Sequence, residues 1–404
     1  MTAGQPLRVA WIGLRGFPGV QGGVETHAQQ LCPRLAALGC DVRVYARRGY
    51  QDERLGPAWQ GVRFRVLWAP RHKHLEAVVH TFLALTWAGL VDRPDVVHLQ
   101  AIGPALFTPW ARLLGLRVVV THHGEDYRRQ KWGPLARTVL RLGEAAAVRF
   151  GHRVIAISRG IRDLVAAQGP GVPALIPNGI DAPGPVPGVQ ALHALGLGLE
   201  PGRYVLTVGR LVEEKRHLDL IEAFARARPA GWRLVLVGAA DHADGYAREV
   251  TQAAQRNGAV MAGFRTGEAL HALYAHAGLF VLPSSHEGLP IALLEALSHG
   301  LPVLASDIAP HQELGLPDGA CFPLGDVAAL AAGITRAAQA AQAAHGPAAL
   351  RAEDWDAQRR RVLARFSWDR AAQATMQVYR RVCAGAPRPV GRAPRRSLRP
   401  STAR

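Results

Sequence analysis

Residues 203–224 read RYVLTVGRLVEEKRHLDLIEAF, and their reading decides the fold. RYVLTVGRL is a short apolar run broken by Gly209, the pattern of a parallel strand buried on both faces. A helical period takes over after Lys215. The chain opens in the same way: LRVAWIGL at 7–14, the glycine-rich RGFPGVQGGVE at 15–25, then the helical THAQQLCPRLAALG closing at Gly39. Strand, glycine turn and helix thus start twice in a chain of 404 residues, a length that suits two domains.

Outward from these two starts, strands alternate with helical stretches. CDVRVYA, VRFRVL, PDVVHLQ, LRVVVTHH and HRVIAIS follow the first, and WRLVLVG, AVMAGF, LFVLPS and LPVLAS follow the second. This alternation predicts α/β architecture, with parallel sheets covered by helices on both faces. The proline-rich stretch 170–202 reads as the connection between domains. The expected division is 1–180 and 181–366, with an amphipathic helix over 367–385 that belongs with the first domain. The last residues, 386–404, carry six arginines and no acid, and read as a disordered basic tail.

The formal net charge is +17, carried almost wholly by arginine, since Lys73, Lys131 and Lys215 are the only lysines. Two readings stand: the codon bias of a GC-rich genome, and a basic face suited to phosphate-bearing donors or anionic lipid. Nucleic acid is not expected as a partner, because aromatics are 6% and no aromatic–basic interleaving occurs. Cys32, Cys40, Cys321 and Cys383 form no C-x-x-C pair and no metal-ligand spacing, which points to a reduced, cytoplasmic chain with no metal. The N-terminus lacks a charged segment followed by a long apolar run, so no secretory leader is expected. The apolar stretch between Glu76 and Asp92 is short for a membrane span and reads as a buried helix, the alternative being a helix that touches a membrane with one face.

Four segments carry chemistry. In SSHEGLPIALLEALSHGLPVLAS (284–306), Pro290 suits a first helical residue, so Gly288 and Leu289 would lie just before a helix with backbone N–H groups turned to an oxygen-rich ligand. Glu287 would stand at the helix mouth and Glu295 more than a turn inside, and a carboxylate can accept from both hydroxyls of a sugar diol. In VGRLVEEKRHLDLIEAF, Arg210 and Lys215 near a helix start would suit a diphosphate; equally, Lys215 could pair with nearby glutamates on a solvated face. In GFPGVQGGVETH, Gly16, Gly19, Gly22 and Gly23 allow bare backbone to approach a ligand. The spacing is not G-x-G-x-x-G and no acid ends the second strand, which argues against a nicotinamide oxidoreductase. In VVVTHHGEDYRRQKWG, His122 and His123 end a strand, where α/β sheets face their ligand crevice, and Glu125 and Asp126 follow. Adjacent histidines point to opposite faces of a strand, which argues against a shared metal.

With GGVETH, THHGEDYRRQKWG, VIAISRGI, IPNGID, VGRLVEEKRHLDLIEAF and EGLPIALLEALSHGLPVLASDI in this order from Leu7 to about Cys383, the chain resembles the retaining family 4 (group 1) glycosyltransferases, in the bacterial branch that builds surface polysaccharides. The resemblance implies the GT-B fold, two Rossmann-like domains with parallel sheets facing across a cleft. It implies a metal-independent hexosyltransferase whose second domain binds a nucleotide sugar and whose acceptor is a glycan or lipid-linked glycan, with peripheral contact to the inner membrane face. Arg210 and Lys215 match the pair that neutralises the donor diphosphate, and Glu295 the residue that holds the ribose. Glu287, with the backbone of Gly288 and Leu289, matches the sugar-facing loop; Gly22 and Gly23 match the loop near the phosphates; His123 matches the histidine beside the reacting centre. The catalytic residues it implies are His123, Glu287, Arg210 and Lys215. A nucleotide-sugar epimerase of the same fold and a catalytically silent partner subunit are the alternatives.

Overall fold

The computed structural model describes residues 5–70, 72, 75–129, 132–169, 171–240, 245–343 and 353–385. The expected basic tail at 386–404 lies outside the described residues.

The first sheet is built from β1 (Leu7–Ile12), β2 (Cys40–Arg47), β3 (Ala58–Trp59), β4 (Val62–Leu67), β5 (Val96–Gln100), β6 (Val118–His122), β7 (Arg153–Ala156) and β8 (Ala174–Leu175). Its spatial order is β3-β4-β2-β1-β5-β6-β7-β8. The second contains β9 (Tyr204–Val208), β10 (Arg233–Val237), β11 (Val260–Gly263), β12 (Leu279–Leu282), β13 (Val303–Ser306) and β14 (Cys321–Phe322), in the order β11-β10-β9-β12-β13-β14. Pairing is parallel throughout except for β3 against β4. The strands expected from the sequence form; the two-residue strands β3, β8 and β14 were not expected, because two residues carry no periodicity. In each sheet the winding reverses beside the first strand, between β1 and β5 and between β9 and β12, which opens a crevice at the strands' carboxyl ends.

The central strands are buried on both sides: Val9, Trp11 and Val42 pack under the helix Gly23–Ala37, and Ala10, Ile12 and Val97 pack on the other face. The helix Trp368–Ala384 returns to the first domain, where Trp368, Ala372, Met376 and Tyr379 join the same core layer as Leu31 and Leu35. Two chain segments therefore cross between the domains, and they touch. Ile180 bridges Ser367, and a Cβ at Gly179 would overlap the Trp368 backbone, so glycine alone fits there.

The apolar stretch after Glu76 corrects one expectation. It forms the helix Glu76–Trp87, continued by a π-helical turn Ala88–Asp92, but only one face is buried. Thr81, Ala84, Leu85 and Ala88 pack inward, while Val78, Phe82, Trp87, Leu90 and Val91 are exposed. Among the described residues no helix is long and apolar enough to cross a membrane.

Candidate functional site

The two crevices face one another and merge into a cleft of ≈ 540 Å³. Each wall brings in residues marked by the sequence. Gly22, Gly23 and His123 line it from the first domain; Arg210, Lys215, Glu287, Gly288, Leu289 and Glu295 line it from the second.

On the second wall, β9 ends at Val208 and the chain turns through a single 3-10 turn, Glu213–Lys215, before the helix His217–Ala227. The Lys215 stem lies over Gly209, 3.4 Å from where a Cβ would sit. Its Nζ meets Glu287 Oε1 at 2.6 Å, with the two side chains 18% and 11% exposed. Lys215 therefore pairs with a glutamate, but with one 72 residues away inside the cleft rather than with neighbours on a solvated face. The Ser285 N–H donates to the Glu214 carbonyl at 2.8 Å, stitching the two motifs together. Burial alone would raise the Glu287 pKa; the Lys215 charge, with His311 behind it, outweighs burial and holds the carboxyl below its ordinary range.

Glu295 meets the opposite fate. It lies on the helix Ile291–Ser298 and accepts from the Tyr274 hydroxyl at 2.9 Å rather than pairing with a cation as Glu287 does. Burial raises its pKa to about 7, and the Tyr274 bond only moderates that rise. Pro290 is displaced by one position from expectation: its ψ of 111° leaves it as the capping residue, and Ile291 begins the helix. Gly288 and Leu289 still lie just before the helix, facing the cleft. The Leu289 side chain is buried in the core, so only its backbone can serve a ligand.

Three neutral contacts tie the first wall to the second. A Cβ at Gly288 would overlap the His123 carbonyl oxygen, so glycine lets the two domains meet there. Asn178 Oδ1 accepts from His27 Nδ1 at 3.0 Å, and its Nδ2 donates to the Leu289 carbonyl at 2.9 Å. Gln21, in the glycine loop, accepts from the Ala239 N–H at 3.1 Å beyond β10. His123 Nε2 lies 2.9 Å from Gln100 Oε1, and the His27 ring meets it edge-on at 4.8 Å. Burial pushes the His123 pKa well down, and nearby His27 adds to this, so a neutral imidazole faces the cleft. His122 turns the other way, to buried Glu144 at 2.7 Å, as strand alternation requires. Of the two acids that follow, Asp126 lines the cleft and pairs with Arg129 at 2.8 Å, while Glu125 pairs with Arg128 at 2.9 Å.

Several cleft residues escaped sequence reasoning. Arg129 reaches across to Glu214, 3.6 Å away on the second domain. His286 presents a buried Nε2 with no partner in the structure, its pKa lowered by burial and by Arg129. Arg15 donates to Glu25 at 3.1 Å beside Gly22. His286 adjoins Glu287 in sequence, and that adjacency was the only signal available for it. Arg129 depends on a contact between remote segments, and Arg15 on the way its own loop folds back on Glu25.

The cleft thus offers Lys215, Arg210 and a helix N-terminus on one wall, and a neutral imidazole, amides and the acid-paired Arg15 and Arg129 on the other. That set can bind an anionic, oxygen-rich ligand and stabilise negative charge developing on it.

Comparison with known proteins agrees with this arrangement. A family model described as "Glycosyl transferases group 1" matches residues 202–340, and one described as "Glycosyltransferase Family 4" matches residues 21–182. A glycogen synthase of Mycobacterium tuberculosis is 30% identical over 422 aligned positions, covering 96% of this chain and 98% of that protein. A sucrose-phosphate synthase of Thermosynechococcus elongatus superposes with a TM-score of 0.76 at 24% identity, over 94% of this chain and 100% of that one. The Anabaena protein Alr3699/HepE, crystallised with UDP and glucose, superposes with a TM-score of 0.74 at 20% identity, over 93% and 100%. The shared fold is GT-B.

Proposed function

The chain belongs to the family 4, group 1 glycosyltransferases, and from that premise we propose that it moves a hexosyl group from a nucleotide sugar to a hydroxyl of a glycan or lipid-linked acceptor, with retention, in polysaccharide synthesis. The observation that carries the reading is the Lys215–Glu287 pair at the mouth of the helix Ile291–Ser298, with Arg210 on the same wall. The UDP and glucose bound to the Anabaena protein support a nucleotide-sugar donor.

The donor's C1–O bond breaks with its electron pair passing to the diphosphate. Lys215, Arg210 and the backbone amides at Gly288 and Leu289 hold the growing charge, which these fixed groups can do without a metal. The acceptor hydroxyl attacks the oxocarbenium-like C1 from the face that the diphosphate leaves, and its proton passes to the departing phosphate oxygen. Glu287 orients Lys215 and accepts from sugar hydroxyls. His123, neutral, contributes a hydrogen bond rather than a charge near the sugar. Glu295 accepts from the ribose diol in its ionised form. Contact between Gly288 and the His123 backbone keeps water from the reacting centre.

The test is a thermal-shift and calorimetry series with UDP, GDP, ADP and dTDP and their sugars, with and without a chelator. One nucleotide should stabilise the chain, and the chelator should not remove that effect. Folded protein that answers to none of them would sink the donor site. Stabilisation abolished by the chelator would overturn the metal-independent part.

A further inference from the structure

We infer that the base of the donor nucleotide is guanine and that the Arg265 side chain selects it. The inference rests on the nucleotide-sugar reading and adds to it the identity of the base.

The cleft does not end at Glu295. Its lining continues through Phe264, Arg265, Thr266, Gly267 and Leu270, which no step of the transfer uses. β11 stops at Gly263, whose φ of 70° turns the chain out of the sheet, and the helix Gly267–His276 begins four residues on. Tyr274, which donates to Glu295, lies on that same helix. At the usual rise per residue the helix start stands ~10 Å along the axis from Tyr274, within the length of a nucleoside. A ribose held by Glu295 therefore points its base towards 264–270.

A flat ring finds apolar surface there. Phe264 is exposed at the cleft, and Leu270 lines it from the helix. A phenyl face stacks on any base, so it contributes affinity without choosing among bases.

The polar groups make the choice, because they donate. Arg265 forms no hydrogen bond or ion pair among the described residues, and its buried Nε has no partner. It differs in this from Lys215, Arg15 and Arg129 in the same cleft, which pair with acids. Thr266 precedes the helix without capping it through its side chain, so the first N–H groups keep their partial positive charge at the cleft. Beyond Glu295 no carboxylate lines this end among the described residues. A lining of donors fits a base through its acceptor edge. Guanine presents O6 and N7 side by side, and one guanidinium donates to both. Adenine sets an amino donor beside N7, which faces the guanidinium badly, and thymine offers one oxygen beside a methyl group. Uracil offers that one oxygen without the methyl.

Calorimetry of the full chain with GDP, UDP, dTDP and ADP tests the inference. GDP should bind about tenfold or more tighter than UDP and dTDP, and ADP weakest, the scale of one bidentate base contact. Arg265→Gln should lower GDP affinity about tenfold and leave UDP within about threefold, since the groups that hold diphosphate and ribose remain. The same variant should tighten ADP, because a glutamine amide both donates to N7 and accepts from the adenine amino group. A merely structural arginine would not exchange one base for another. Phe264→Ala should weaken all four nucleotides by a similar factor. Tightest binding of UDP, dTDP or ADP by the unaltered chain would overturn the inference while leaving the donor site in place. A preference for GDP that survives Arg265→Gln would also overturn it. Binding of none of the four would remove the donor site and this inference together.

Discussion

The two walls of the cleft are assembled in different ways. The second domain's wall is centred on two runs, 208–215 and 286–295, each a strand end followed by a turn and a helix start and flanked by pieces at 237–238 and 264–270, and the Lys215–Glu287 pair locks one run to the other. The first domain's wall is gathered from short pieces: Gln21 to Gly23, His123, Asp126 and Arg129, with Asn178 reaching in from the crossing segment. Strong charges at short range hold the former. The latter meets the second domain through neutral contacts at a glycine and one amide, and through Arg129, which pairs with Asp126 and reaches Glu214 at 3.6 Å. The contrast suits a wall that grips a charged donor and another that positions chemistry against it.

Lys215→Ala strikes the strong wall and should have the largest effect. It removes the diphosphate cation and leaves Glu287 with His311 as its nearest counter-group. We expect kcat/KM to fall about a thousandfold and nucleotide affinity with it, the scale of a lost transition-state charge contact. A fall of less than about tenfold would break the comparison, since a dominant donor cation is worth more than that.

Gly288→Ala strikes the seam. The new Cβ would meet the His123 carbonyl and force the walls apart while leaving Lys215 and Arg210 in place. We expect kcat to drop about a hundredfold while nucleotide affinity stays within a few-fold, because misplaced walls cost orientation rather than binding. Equal losses in both would show that the seam belongs to donor binding.

Glu295 sharpens the comparison within one wall. With its pKa raised to about 7, it is mostly protonated below that value and then cannot accept from both ribose hydroxyls. Nucleotide affinity should weaken about tenfold from about pH 8 to about pH 6, and Glu295→Gln should flatten the profile at the weaker value. Stability of the ligand-free protein runs in the other direction. A raised acid pKa means that the folded state binds the proton more tightly than the unfolded state does. The contribution of Glu295 therefore favours folding below the ordinary carboxylate pKa and is lost as pH rises through about 7. Glu295→Gln should accordingly stabilise the free chain at alkaline pH in a melting experiment.

The smallest effects belong to the neutral ties. Asn178→Ala leaves the Leu289 carbonyl and His27 without their shared partner and should cost about 1–3 kcal/mol in a denaturation series. Gln21→Ala loses one half-buried bond and should cost about 1 kcal/mol or less. A larger cost for Gln21 than for Asn178 would reverse the ranking of the two links.

The difference between the walls also explains what the sequence made legible. Arg210, Lys215, Glu287 and Glu295 sit within contiguous strand–turn–helix patterns, where local spacing puts them near a strand's carboxyl end or in the helix that follows it, and the resemblance supplies their roles. His286 sits in the same pattern, but a histidine beside a glutamate carries no local mark of facing a cleft. Asn178 and Gln21 take their roles from partners 111 and 218 residues away, a distance at which periodicity says nothing. The helix after Glu76 is apolar all round, and its sequence cannot tell a helix buried on all sides from one with an uncovered face.

By itself, the sequence determined the two α/β units, the strand ends that carry the charged motifs and the family to which the chain belongs. The first two follow from short-range patterns of burial and turn chemistry, which are written locally, and the family from the resemblance carried by the ordered motifs. Only the tertiary structure decided which glutamate Lys215 holds, why Gly288 and Gly179 must be glycine, and that one carboxyl of the pair stays ionised while the other rises to about 7. It also left one face of the helix after Glu76 uncovered. Each of these depends on which remote side chain or backbone comes within a few ångströms, and desolvation and charge pairing act only at that range.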